Sequence, residues 1–205
     1  MFAVAVFPFV LALVPAYLLG TFPTAALVAR AGGHDVLTEG SGNPGASNVT
    51  RLMGWKAGAV VMAGDFLKGT IAAGVGLALG GRIGAYALGI AAVLGHVFPA
   101  TRRFKGGKGV ATASGALVVL FPWIVAGLAV VWFVVARVLK RASVASIVCT
   151  VLFLVLAIVG AYDWIEIAVL AGLGVVILGR HTANLRRLVR GEEPQLPTRR
   201  EEDAT

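Results

Sequence analysis

From residue 4 to residue 179 the chain is a succession of long apolar runs, most of them ended by a proline, a glycine doublet or basic residues. About 20 apolar residues in a helix cross the hydrocarbon core of a bilayer. Hydrophobic residues make up 58% of the 205, with a mean hydropathy of +0.88, whereas a soluble domain is roughly 45–50% apolar. The excess, laid out in runs, points to an all-α, polytopic integral membrane bundle. The 27 glycines suit such a bundle, because small residues let membrane helices approach closely.

The expected spans are residues 4–29, with kinks at Pro15 and Pro23; 55–79; 83–98, after a break at Gly80-Gly81-Arg82; a hairpin of two short spans within 110–138, turning near Phe121-Pro122-Trp123; 144–160; and 165–179. Tyr162-Asp163-Trp164 marks a turn at the interface. About seven transmembrane helices place the termini on opposite sides. Of the 18 Lys and Arg, 16 then share one side, Arg82 alone takes the other, and Lys68 lies within a span. Basic loops stay in the cytoplasm, so the N-terminus is expected outside and the C-terminus in the cytoplasm. Reading 110–138 as one tilted span gives six crossings and puts Arg137, Lys140 and Arg141 outside, against that bias. The first run has no basic residue ahead of it, unlike a secretory signal, and is read as a retained span. A single membrane domain is expected over 1–193, followed by a charged, flexible tail over 194–205.

The formal net charge of +8 does not indicate nucleic acid. The aromatics lie mainly inside apolar runs and the basic residues between them, a pattern suited to anionic lipid headgroups. Cys149 is the one cysteine, so no disulfide can form within the chain. No Cys/His cluster has zinc spacing, and no metal or cofactor is expected.

Three polar clusters fall on the expected cytoplasmic face. The first is Ser41-Gly42-Asn43-Pro44-Gly45-Ala46-Ser47-Asn48, leading to Arg51. Its hydroxyls, amides and arginine suit a phosphorylated polyol, or simply a turn-rich loop. The second runs from Gly95-His96 to Thr112 and contains Lys105-Gly106-Gly107-Lys108-Gly109. Successive N–H groups in a glycine-rich loop can form an anion nest, a helix start adds its dipole, and lysines add point charges. The spacing is not that of a P-loop. A basic loop obeying the positive-inside rule would look much the same. The third is Arg180-His181-Thr182-Ala183-Asn184-Leu185-Arg186-Arg187, which as a helix aligns His181, Asn184 and Arg187 on one face. Ser143 precedes a span, where serine commonly caps. Asp65 and Lys68, at i and i+3 inside a span, read as a supporting pair, although ionisable groups there default to function. Jointly, the clusters imply an anionic ligand, a phosphate, met at the bilayer surface.

The runs Ser41-Gly42-Asn43-x-Gly45-x-x-Asn48-x-x-Arg51, Gly95-His96-x-x-Pro99 with Phe104–Thr112, and His181-x-x-Asn184-Leu185-x-Arg187-Leu188-x-x-Gly191 resemble the three signature motifs of the PlsY family, the bacterial acyl-phosphate:glycerol-3-phosphate acyltransferases. The resemblance covers nearly the whole chain, in order. Pro44 stands where an aliphatic residue is common, and Arg102-Arg103 is more basic than usual; neither removes a functional group. The resemblance implies transfer of a fatty acyl group from acyl phosphate to the 1-hydroxyl of sn-glycerol 3-phosphate, without metal or cofactor, at the cytoplasmic face of a bacterial cell membrane. The candidate catalytic residues are Ser41, Arg51, Lys105, Lys108, Ser143, His181 and Asn184. Candidate substrate contacts are Asn43, Gly45, Asn48, His96, Gly106, Gly107, Gly109, Thr112, Arg187 and Glu193. The acyl chain is expected between helices, open to lipid, and no protein partner is specified. The His-x-x-x-x-Asp signature of acyl-CoA-dependent acyltransferases is absent: Glu39, Thr101 and Arg186 stand five residues after His34, His96 and His181. The rival from another class is a transporter of phosphate or organophosphate anions, whose site would lie near the bilayer midplane.

Overall fold

The computed structural model describes residues 2–160 and 162–197, with side chains from residue 10 onward. Residues 198–205, including Arg199, Arg200 and most of the expected tail, lie outside the described residues. Among the described residues every regular element is helical. The chain divides into two compact units, the first ending at Pro122 and the second beginning at Trp123.

In the first unit, α1 (Phe2–Gly20) continues through Pro15, and the chain breaks before α2 (Thr24–Ala31), next to Pro23. Helix α3 (Ala46–Val97) is interrupted at Gly54 and at Gly80 and Gly81. Gly54 and Gly81 take φ of 79° and 61°, values open to glycine at little cost. The expected break at 80–82 is therefore real. It folds α3 into two arms, 55–79 and 82–97, so tightly that a Cβ on Gly76 or Gly84 would strike the other's carbonyl oxygen.

Backbone-to-backbone packing recurs around these arms. Gly20 lies on the Ala92 carbonyl and Gly95 on that of Tyr17, seating α1 on the second arm. Gly69 lies on the Thr112 carbonyl and Gly115 on that of Phe66, seating α4 (Val110–Val118) on the first. Thr70 Oγ1 adds a hydrogen bond of 2.9 Å to the Gly115 carbonyl. Ala16, Ala72, Leu88 and Ala92 fill one core, and Ala25, Ala29, Val36, Val49 and Val61 another.

The second unit holds α5 (Pro122–Leu139), α6 (Ala142–Val159), α7 (Trp164–Gly179) and α8 (Thr182–Val189). Trp132 Nε1 donates to Ser146 Oγ at 3.0 Å, tying α5 to α6. Asp163 caps α7 by accepting from the Ile165 N–H at 2.8 Å. The start of the expected tail is docked: Leu196 is buried and its N–H donates to the Lys140 carbonyl at 2.8 Å.

Four stretches are long and apolar enough to span a membrane: Val10–Ala31, Ala46–Arg102, Pro122–Leu139 and Ala142–Val159. Helices α7 and α8 qualify together despite a 53° bend. Division of α3 at Gly80–Gly81 adds one pass. The last expected pass coincides with α4, whose nine residues rise only about 14 Å. That is under half the hydrocarbon thickness, so α4 is too short by itself to cross a bilayer of ordinary thickness.

The packing predicts opposite outcomes at two glycines of one helix. Gly69→Ala drives a methyl into the Thr112 carbonyl and should destabilise the protein by about 1–3 kcal/mol. Gly74→Ala meets nothing within 4 Å and should hold or raise stability through helix propensity. Unfolding of the detergent-solubilised variants measures both.

Candidate active site

In the first unit, the loop from His34 to Gly45 is shaped from within. Asn48, fully buried at the start of α3, accepts the Ser41 N–H at 2.8 Å through Oδ1 and donates through Nδ2 to the carbonyls of Val36 and Glu39 at 3.2 and 3.0 Å. The Asn48 side chain thereby holds the loop that carries Ser41, Asn43 and Gly45, a role that the sequence, which suggested a substrate contact there, did not show. The Asp35 N–H bond and then the His34 ring, 2.7 Å away, hold the Glu39 carboxyl below its ordinary range.

The loop before α4 meets this one. Gly106 lies against the carbonyls of His96 and Val97. A Cβ on Gly107 would meet the His96 ring first, at Nε2 and then Cε1, and the Pro44 carbonyl after it, and the Gly107 N–H donates to the His96 carbonyl at 3.1 Å. Gly109, at φ 86°, is the N-cap of α4. Side chains at these positions would push the loop off its floor. Lys105 is exposed, and Lys108 and Arg51 are half-buried. Thr112, fully buried in the first turn of α4, has no hydrogen-bond partner for Oγ1 among the described residues. Tyr17, which the sequence gave no reason to single out, fixes the approach to this loop: its hydroxyl donates to the Phe98 carbonyl at 2.7 Å and accepts the Ala100 N–H at 2.9 Å.

In the second unit the polar residues converge on Glu193. Its Oε1 accepts from Ser143 Oγ and Asn184 Nδ2, both at 2.6 Å, and its Oε2 accepts from Arg187 Nε at 2.9 Å. Ser143 is therefore not the cap that its position suggested. Arg141 occupies the N-cap, and Ser143 lies within the first turn of α6. Since the carboxylate only accepts, the Asn184 amide is oriented with its nitrogen toward Glu193, and its buried Oδ1 has no partner among the described residues. His181 is 1% exposed, at the N-cap of α8. Its Nδ1 lies 2.8 Å from the Ile177 carbonyl. A carbonyl cannot donate, so Nδ1 carries a proton and points away from any role as base, which only Nε2 could take.

These features define a helical integral membrane protein with one anion-suited loop system and one polar cluster built around a carboxylate. The family model described as "Glycerol-3-phosphate acyltransferase" matches residues 10–191, and the chain belongs to that family. The glycerol-3-phosphate acyltransferase of Bacillus cytotoxicus (strain DSM 22905 / CIP 110041 / 391-98 / NVH 391-98) is 41% identical over 186 residues, covering 90% of this chain and 93% of the relative. That of Bacillus subtilis (strain 168) is 37% identical over 187 residues, covering 91% and 96%. Crystal structures of PlsY (YgiH), an integral membrane glycerol 3-phosphate acyltransferase, superpose closely. The glycerol 3-phosphate form gives a TM-score of 0.86 at 35% identity, over 93% of this chain and 96% of that one. The lysophosphatidic acid form gives 0.84 at 35%, over 96% and 99%.

The Glu193 cluster carries a pH prediction. Burial raises its carboxyl, but the hydrogen bonds from Ser143, Asn184 and Arg187, with the Arg187 charge, outweigh that and leave it below its ordinary 4.5. The carboxylate therefore stabilises the folded chain above that value, and the contribution is lost as pH falls through the lower, folded-state value. Glu193→Gln should melt below wild type at neutral pH, with the gap closing only as pH drops below about 4.5.

Proposed function

We propose that this protein transfers a fatty acyl group from acyl phosphate to the 1-hydroxyl of sn-glycerol 3-phosphate, yielding lysophosphatidate and inorganic phosphate. The observation that carries the reading is the glycine-rich loop at 105–109, its backbone pressed on His96 and followed directly by a helix N-terminus. Such a loop suits a phosphate. Family membership and likeness to the glycerol 3-phosphate and lysophosphatidic acid forms of PlsY support the same substrates.

An acyl phosphate is a mixed anhydride whose phosphate leaves readily. The protein has chiefly to position two anions and stabilise developing charge. In this reading Lys105, Lys108 and the Gly106–Gly109 amides hold the donor phosphate, with Ser41, Arg51 and Thr112 assisting. Arg187 and Asn184 serve the acceptor, the free Asn184 Oδ1 taking the hydroxyl's hydrogen bond. The acceptor oxygen attacks the acyl carbonyl carbon, and the carbon–oxygen bond to phosphate breaks. Phosphate leaves with the electron pair, and the hydroxyl proton passes to His181 Nε2. Ser143 and Glu193 hold Asn184 and Arg187 in place. Within each unit taken by itself the polar groups gather at helix starts, at Gly109 in the first and at Ser143 and His181 in the second, which favours a reaction at the bilayer surface over a midplane transport site. The excess of basic residues in the loops supports a cytoplasmic active face in a bacterial cell membrane, with the N-terminus outside.

Purified protein given palmitoyl phosphate and labelled glycerol 3-phosphate should form lysophosphatidate and phosphate in equal amounts. Lys105→Ala with Lys108→Ala should abolish it. His181→Ala should lower kcat by about 10²–10⁴-fold with little change in acceptor KM. A loss under about tenfold assigns the proton to a substrate phosphate instead.

A further inference from the structure

Inside the first unit, directly under the 105–109 loop, two charged groups and an imidazole are buried together. Asp65 and Lys68 sit on the first arm of α3 and His96 on the second, at 3%, 4% and 6% exposure. Lys68 Nζ lies 2.8 Å from Asp65 Oδ1, 2.7 Å from His96 Nδ1 and 3.4 Å from the Phe22 carbonyl. An ammonium has three N–H donors and no acceptor, and here it faces three acceptors. His96 Nδ1 is 3.6 Å from Asp65 Oδ1, too far for a hydrogen bond between them. One carboxylate already balances one ammonium, and Arg102 adds a further positive charge to the neighbourhood. A protonated imidazole would leave surplus positive charge in a site closed to water. Nδ1 is thus the acceptor, and the single ring proton resides on Nε2. That nitrogen is the atom a Cβ on Gly107 would strike.

We propose that Asp65 and Lys68 are positioning residues that hold His96 as a neutral Nε2–H donor under the 105–109 loop. The pair acts through His96 and touches no substrate. It fixes the ring's tautomer and angle, so the loop rests on a hydrogen-bond donor without net charge. The functional consequence rests on the acyl-phosphate reading above; the tautomer does not.

The test has a spectroscopic arm and a kinetic arm. Protein labelled with ¹⁵N in its three histidines is placed in lipid nanodiscs, and the His96 signals are assigned by their loss in His96→Gln. Expected is a neutral ring with Nε2 protonated and Nδ1 bare, unchanged between about pH 6 and about pH 8, where an unperturbed histidine titrates. An imidazolium, or a proton on Nδ1, overturns the proposal even if the enzyme proves inactive. In the kinetic arm, Asp65→Asn with Lys68→Met removes both charges together and leaves no unpaired ion. The folded double variant should lose about 10- to 100-fold in kcat/KM for palmitoyl phosphate, the worth of a hydrogen bond to a charged group. His96→Gln, whose amide can stand near Nε2, should keep more activity than His96→Asn, whose amide stands near Nδ1. Wild-type kinetics in the double variant, or the reverse order of the two His96 variants, contradicts it. Absence of acyl transfer in wild type, with the expected tautomer present, sinks the reaction reading and spares the tautomer.

Discussion

An ammonium and a carboxylate 2.8 Å apart, both almost fully buried, lie at the centre of the first unit. Removing one partner of such a pair leaves an uncompensated charge worth about 3–5 kcal/mol, and lipid offers no water to relieve it. The pair therefore needs its surroundings fixed. Lys68 reaches the carbonyl of Phe22 in the α1–α2 junction and the ring of His96 on the opposite arm of α3. One polar contact set thus binds three elements whose other contacts are mostly small or apolar side chains. The anion-suited loop rests directly on one member of it.

Glycine does the complementary work. Where helices touch in the first unit, backbone meets backbone at Gly20, Gly69, Gly76, Gly84, Gly95 and Gly115. Close approach replaces the hydrophobic drive that lipid removes. The same economy shapes the site: Gly106 and Gly107 let the loop lie flat on His96, and a larger residue at either would lift it. In the second unit a carboxylate, Glu193, gathers side chains contributed by α6 and α8. Glu193 gathers the second cluster directly, and under the proposal above Asp65 and Lys68 act on the first through His96.

Much of this was legible where the signal is local. The apolar runs, the doublet Gly80-Gly81 and the turn before Pro122 mark breaks through residue chemistry alone, and the helices begin and end there. The relation of Lys68 to His96 was not legible, because they stand 28 residues apart and meet only once α3 has folded back. Ser143 and Glu193 are 50 residues apart, so a serine near a helix start read as a cap. Asn48 shows a different limit: an amide that staples a loop and one that binds a polyol have the same chemistry, and the stapling appears only in its three partners. Two short spans were legible within 110–138 from the length of the apolar run, but not how unequally it divides, nine residues in α4 and 18 in α5.

The central claim is that this protein relies on an activated donor and supplies anion binding rather than leaving-group acid. Donor choice tests that most directly. Purified protein in lipid is offered labelled glycerol 3-phosphate with palmitoyl phosphate in one reaction and palmitoyl-CoA in another, and lysophosphatidate is measured. The account predicts product from the acyl phosphate alone. Equal or greater product from the CoA thioester, with the protein folded in both, would contradict it.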